Sequence, residues 1–184
     1  PQVNGKTEYY AYVIVSSQSP YISLDELRGK TFAFSDPLSN SGHLALLWVL
    51  QQRGETAESF FQKTIFTYSH DNSIQAVVDH LVDGAIVDSL VYDALVARDP
   101  TLAAQTRIIQ RIGPFGIPPV VVHPDIDPDL KQALLDALLT MHQDPQGRRA
   151  LADLHIDRFV LVDSSAYDSI RQMASALRGW DEAP

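Results

Sequence analysis

The 184-residue chain contains no cysteine, which excludes disulfides, thiol nucleophiles and cysteine-ligated zinc and is consistent with an oxidising compartment. It also lacks an excess of positive charge: 14 Lys and Arg stand against 23 Asp and Glu, a formal net charge of −9. With no basic footprint to offset phosphates, duplex DNA, RNA and anionic membrane surfaces are poor partners, and no nucleic-acid partner is expected. No apolar run approaches the roughly 18 residues that would span a bilayer. Pro1 to Glu8 is polar and is not a signal peptide, so an export signal is expected outside this sequence. Repeats and low-complexity tracts are missing too. What remains is 45% hydrophobic residues, enough for a packed core, in a length that fits one domain or two small lobes.

Short apolar runs alternate with helical patterns. Tyr9–Val15, Thr31–Ser35, Thr64–Tyr68, Ala85–Val87 and Thr106–Gln110 read as strands from their β-branched and aromatic content. Helices are expected after the Ser23–Glu26 capping box, over His43–Arg53 ahead of Gly54, over Asn72–Leu81 and over Ser89–Ala97. The βαβ alternation implies a parallel sheet covered by helices. Three prolines and two glycines in Ile112–Pro119 then mark a stiff connector, followed by a strand at Val120–His123. Asp127-Pro128 starts a helix whose Leu130, Ala133, Leu134, Ala137, Leu138 and Met141 predict one buried stripe. A short helix (148–154), a strand (159–162) and a last helix (about 165–177) complete the chain. The organisation expected is α/β, with one complete lobe at 22–113 and parts of a second in 1–21 and 114–184.

The segment richest in chemistry is the strand–SDPLSNSG–helix junction. Hydroxyls of Ser39 and Ser41, with main-chain N–H groups around Gly42, sit where a helix start leaves donors unpartnered and the dipole favours an anion. Read from spacing alone, an ordinary N-cap explains the same serines. It is not a Walker loop, because no lysine follows the glycine, nor a nucleophile elbow, because position 39 is serine. Ser69-His70-Asp71-Asn72 lies at a second strand end, where His70 can donate to an anion. In open α/β sheets ligands sit at the carboxyl ends of strands, which favours both junctions. His80, His123, His142 and His155 are read as structural, and the acidic run Asp125, Asp127, Asp129 as helix-start acid, so no metal site is expected.

These residues resemble those of the periplasmic phosphate- and phosphonate-binding proteins of ABC importers, a type II periplasmic binding protein fold. The likeness is carried by the Tyr9–Val15 strand, Leu24–Lys30, the Ser35–Gly42 loop, Ser69-His70-Asp71, Val82–Ala85, the Gly116–Val120 return and the Phe159–Met173 end. It implies one complete parallel-sheet lobe plus part of a second, and an oxyanion held by Tyr9, Ser39, Asn40, Ser41 and His70, with Gly42 completing the loop. Asn40 stands where the family usually has threonine. The hinge acid that receives an ammonium group has no counterpart, so an amine-bearing phosphonate is not expected. Family members also open with a strand–helix–strand–helix stretch that this sequence lacks.

The resemblance implies a non-enzymatic, cofactor-free binding component that captures phosphate, phosphite or a phosphonate and delivers it to a membrane permease. Its location would be periplasmic or otherwise extracytoplasmic, with or without a membrane anchor. The alternative in another class is the ligand-sensing domain of a membrane sensor kinase or receptor. A hydrolase built on Ser41 and His70 lacks both an elbow and a carboxylate at a recognisable spacing. If His70 donates to a dianion as imidazolium, affinity is expected to weaken as pH rises from about 6 to 8.

Overall fold

The computed structural model describes residues 1–181. Its strands are β1 (Glu8–Ser16), β2 (Thr31–Phe34), β3 (Lys63–Phe66), β4 (Gly84–Asp88) and β5 (Thr106–Gly116). Its helices are α1 (Ala45–Gln51), α2 (Ala57–Phe60), α3 (His70–Val78), α4 (Ser89–Arg98), α5 (Pro100–Gln105), α6 (Pro128–Thr140), α7 (Pro145–Asp153) and α8 (Asp168–Asp181). The chain divides into two compact units, one of Pro1–Tyr9 with Phe115–Tyr167 and the other of Tyr10–Pro114 with Asp168 onward.

The larger unit is organised on a five-stranded sheet in the order β3-β2-β4-β1-β5. β2 pairs in parallel with β3 and with β4, as the alternation of strands and helices predicts. β1 enters antiparallel against β4, with Ala11 opposite Asp88 and Ile14 opposite Ala85. The Ser17 N–H donates to Gln105 O at the end of β1 where β5 begins, so β5 runs against β1 and in the same sense as β4. The sheet is therefore mixed, with β1 inserted between two strands of a parallel series. Residues 10–21 and 168–181, grouped with the second lobe on sequence, belong to the larger unit. For β1 the reason is its ladder with β4; for α8 it is packing on α1, where the Gln51 side chain donates to Ala176 O at 3.2 Å.

Alternation along the strands builds two apolar layers. Tyr12, Ile14, Ala33, Ala85 and Val87 pack with Ile74, Val77, Val82 and Tyr92 on one face. Phe32 and Phe34 turn the other way and meet Phe61, stacked on Phe32 with centroids 4.4 Å apart. The sequence Val82-Asp83-Gly84-Ala85 has a structural logic. Asp83 Oδ2 accepts from the Thr31 N–H and Oγ1 at 2.8 and 2.7 Å, clamping β2 to β4. A Cβ on Gly84 would lie 2.9 Å from Leu27 Cδ1, so the strand start tolerates only glycine without a shift. The connector read at Ile112–Pro119 is partly strand, since β5 continues to Gly116. Pro114 is accommodated there because β5 is an edge strand.

The smaller unit is held by local pairing: Gln2 bridges Arg158, the Gly5 N–H donates to Asp157, and the Ile117 N–H donates to Thr7 O. Two expectations fail here. Val120–His123 and residues 159–162 form no strand and pair with none among the described residues, and Val121 is 78% exposed. The apolar stripe of α6 exists as a pattern, yet no residue of that helix is buried and Leu130 and Leu134 are exposed. The physical reason is the same for both. A strand needs a neighbouring ladder and a stripe needs a layer to lie on, and this unit presents no sheet to either.

Candidate functional site

The carboxyl ends of three adjacent parallel strands, β3, β2 and β4, deliver the site residues. β2 runs into Ser35 and then a π-helical turn, Asn40–Leu44, that feeds α1. Ser39 caps this turn: its Oγ accepts from the Gly42 N–H at 2.9 Å. The N–H of Gly42, expected to face an anion, is thus already used. Gly42 serves packing instead, since a Cβ there would lie 2.6 Å from Ser35 Cβ and 2.9 Å from His70 Cε1.

β3 leads to Ser69, whose Oγ caps α3 by accepting from the Asn72 N–H at 3.1 Å, and His70 opens that helix. β4 ends at Asp88, which caps α4 by accepting from the Leu90 and Val91 N–H groups on Oδ1. These capping geometries fix three side chains of different chemistry at one edge of the sheet. The Asp88 N–H donates to His70 Nδ1 at 3.1 Å, and the Ser35 Oγ lies 2.9 Å from the same nitrogen. Ser41, only 2% exposed, donates from Oγ to Asp88 Oδ2 at 3.2 Å. Ser35 also contacts Ser73 and the Ile86 carbonyl, and Ser73 bonds Thr67 at 2.6 Å.

This network assigns the tautomer of His70. Nδ1 has one lone pair in the neutral ring and the Asp88 N–H is aimed at it, so the ring proton sits on Nε2. Burial pushes the His70 pKa below its ordinary value, against the pull of the Asp88 and Asp71 charges. Burial likewise pushes the Asp88 carboxyl up, against hydrogen bonds from Leu90, Val91 and Ser41 and the charge of His70. Both groups are biased towards neutrality. Without a ligand the ring is biased towards its neutral form, with the proton on Nε2; the imidazolium expectation concerned the complex with a dianion.

The structure brings Ser39, Asn40, Ser41 and Gly42 into one turn and ties His70 to that turn through Ser35 and Asp88. Tyr9 belongs to the smaller unit, buried with its ring 6.0 Å from that of Phe115. Sequence reasoning missed Ser35, Ser73 and Asp88 as members of this cluster. Asp88-Ser89 before a helix is visible in sequence as a cap, but nothing local reports that it meets Ser41. The order of contacts differs from that of a catalytic triad, in which the histidine ring lies between serine and carboxylate: here the Asp88 carboxylate bonds Ser41, and the Asp88 main-chain N–H bonds the His70 ring. A separate apolar cavity of about 690 Å³, lined by Phe34, His43, Leu47, Phe66 and Leu177, includes none of Ser39–Gly42 or His70.

Comparison with known proteins gives a consistent picture. The model of the phosphonate ABC transporter periplasmic substrate-binding protein family matches residues 1–167. Among solved structures, a binding-protein component of a phosphonate ABC transporter from Pseudomonas aeruginosa aligns with a TM-score of 0.84 at 24% identity. That alignment covers 94% of this chain and 59% of the other, so the chain spans about three-fifths of that relative's length. PhnD1 of Prochlorococcus marinus, solved with methylphosphonate, aligns with a TM-score of 0.85 at 19% identity, over 96% of this chain and 70% of that one. A Xanthomonas citri protein solved with ATP aligns at 0.76 and 24% identity, over 100% and 71%. At these identities the structures establish the fold, an open α/β sheet of the type II periplasmic binding protein kind, while the match to the family model covers most of the sequence. The chain belongs to the family of periplasmic substrate-binding proteins of phosphonate ABC transporters.

Proposed function

We propose that the β2–β3–β4 edge receives the oxyanion of a small phosphonate, phosphite or phosphate, and that the whole protein hands it to an ABC permease outside the cytoplasm. Ser39, Asn40 and Ser41 are the contacts on the turn, and His70 donates from Nε2. One observation carries this reading: in a family of phosphonate binders, a helix-start turn of hydroxyl and amide side chains converges with a neutral histidine donor at the ends of parallel strands. The complex cluster is neutral or acidic, so recognition rests on hydrogen-bond donors and not on a lysine or arginine clamp. The methylphosphonate in the Prochlorococcus structure makes an amine-free phosphonate the first ligand to try.

Calorimetry with methylphosphonate, phosphite, phosphate, sulfate and ATP tests the proposal. Binding of at least one small oxyanion is expected. Ser41→Ala is expected to weaken it by about 10- to 150-fold, the loss of one hydrogen bond to a charged group worth roughly 1.5–3 kcal/mol. Heat from a sugar or an organic cation, with none from the anions, would overturn it.

A further inference from the structure

A serine hydroxyl has one proton to give, and Ser41 gives it to Asp88. The pair is built in: Ser41 is 2% and Asp88 8% exposed, and Asp88 is fixed by its own backbone N–H on His70 and by its Oδ1 cap of α4. No lysine or arginine hydrogen-bonds Asp88 among the described residues. The other ionisable groups acting here are His70 and Asp71 of α3 and Asp93 of α4. A buried acid behind the anion turn is an odd companion for an anion unless it sets which proton count the site accepts.

We infer that Asp88 is the positioning residue that selects the protonation state of the bound oxyanion, through the single proton of Ser41. The inference rests on the oxyanion reading of the turn. With Asp88 ionised, Ser41 points its proton at Oδ2 and offers a lone pair to the ligand, so it accepts from a P–OH group. With Asp88 protonated, Oδ2–H donates to Ser41, and Ser41 donates to a bare ligand oxygen. Either way the complex holds one shared proton, supplied by a hydrogen-bearing monoanion or taken from solvent when the ligand arrives as a dianion. A phosphonate or phosphite titrates near neutral pH and can bring this proton; sulfate cannot. The burial that raises the Asp88 carboxyl works in the same direction, since it lowers the cost of placing the proton there.

The experiment counts protons by calorimetry in buffers of different ionisation enthalpy, using sulfate and methylphosphonate at about pH 9, where both ligands are dianions. The wild-type protein is expected to take up one proton with each. Asp88→Asn keeps the α4 cap through its Oδ1 and places a permanent N–H donor on Ser41. This variant is expected to take up no proton and to bind sulfate at least about tenfold more tightly than wild type, the worth of a charge-assisted hydrogen bond gained. Loss of affinity for both anions alike, with the proton count unchanged, would mean that Asp88 is only structural and would overturn the inference. Persistent uptake in the variant would assign the proton to His70, with the same result. If Asp88→Asn does not fold, the wild-type count decides alone: no uptake with sulfate refutes the proposal. Absence of heat from every oxyanion with wild-type protein would refute the oxyanion reading first, and this inference with it.

Discussion

Replacing Gly42 with alanine is expected to destabilise the larger unit even though alanine is the better helix former. The methyl carbon would lie 2.6 Å from Ser35 Cβ, 2.7 Å from Ser35 Oγ and 2.9 Å from His70 Cε1. Carbon atoms at rest sit roughly 3.5–4.0 Å apart, so the turn and the end of β2 must separate by about 1 Å. Ser35 Cβ is fixed to a buried strand end and cannot rotate away. Overpacking of this kind costs about 1–3 kcal/mol, offset by up to about 1 kcal/mol of helix propensity. With the full offset the net loss is up to roughly 2 kcal/mol, which lowers a thermal midpoint by up to about 8 °C in a chain of this size. Differential scanning fluorimetry reads the shift. The companion variant Ser35→Gly removes the two closest atoms, so the double variant should be more stable than the sum of the two single losses implies. A Gly42→Ala protein melting above the wild-type temperature would refute the packing argument, as would strict additivity.

Ser39→Ala should cost about 0.5–2 kcal/mol of stability by removing the cap on the Gly42 N–H, read as a lower denaturant midpoint. Asp83→Ala leaves the Thr31 N–H and hydroxyl without their acceptor and should cost about 1–3 kcal/mol, with the denaturant slope unchanged. His70, held below its ordinary pKa of 6.5, binds fewer protons folded than unfolded; its contribution is complete above that value and is lost as pH falls through the folded pKa. Midpoints measured between about pH 5 and 7 should therefore fall with acidification, and His70→Gln should flatten that slope; an unchanged slope would count against a neutral buried ring.

Much of the larger unit was legible from local pattern. β1 to β4 and α3 and α4 appear close to where β-branched runs and 3.6-residue periodicity put them, because each buries its apolar face within the unit. Sheet order was not legible. Alternation of strands and helices implies parallel neighbours, but nothing in Tyr9–Val15 reports that it slots antiparallel between β4 and β5. The serine turn and His70 were found from residue type at strand ends. Ser35 and Asp88 were not, because their significance lies in contacts across 35 and 47 residues of chain. The same lesson applies in reverse to Val120–His123, where β propensity is strong and no partner strand is supplied within the described residues.

Those three valines also bear on how the protein behaves at high concentration. Val120, Val121 and Val122 are 57%, 78% and 40% exposed, with backbone groups that no ladder occupies, which makes them a template for pairing between molecules. Pro118 and Pro119 precede them and Pro124 follows, and proline cannot donate to a growing ladder. The adhesive stretch is thereby cut to four residues, short of the roughly five to seven that nucleate β-aggregation. Like-charge repulsion from a net charge of −9 further separates the molecules at low salt. Colloidal stability thus leans on two prolines upstream and one downstream, and replacing Pro124 with a strand-forming residue would lengthen the sticky edge as well as loosen the turn that the Ile126 N–H closes on His123 O.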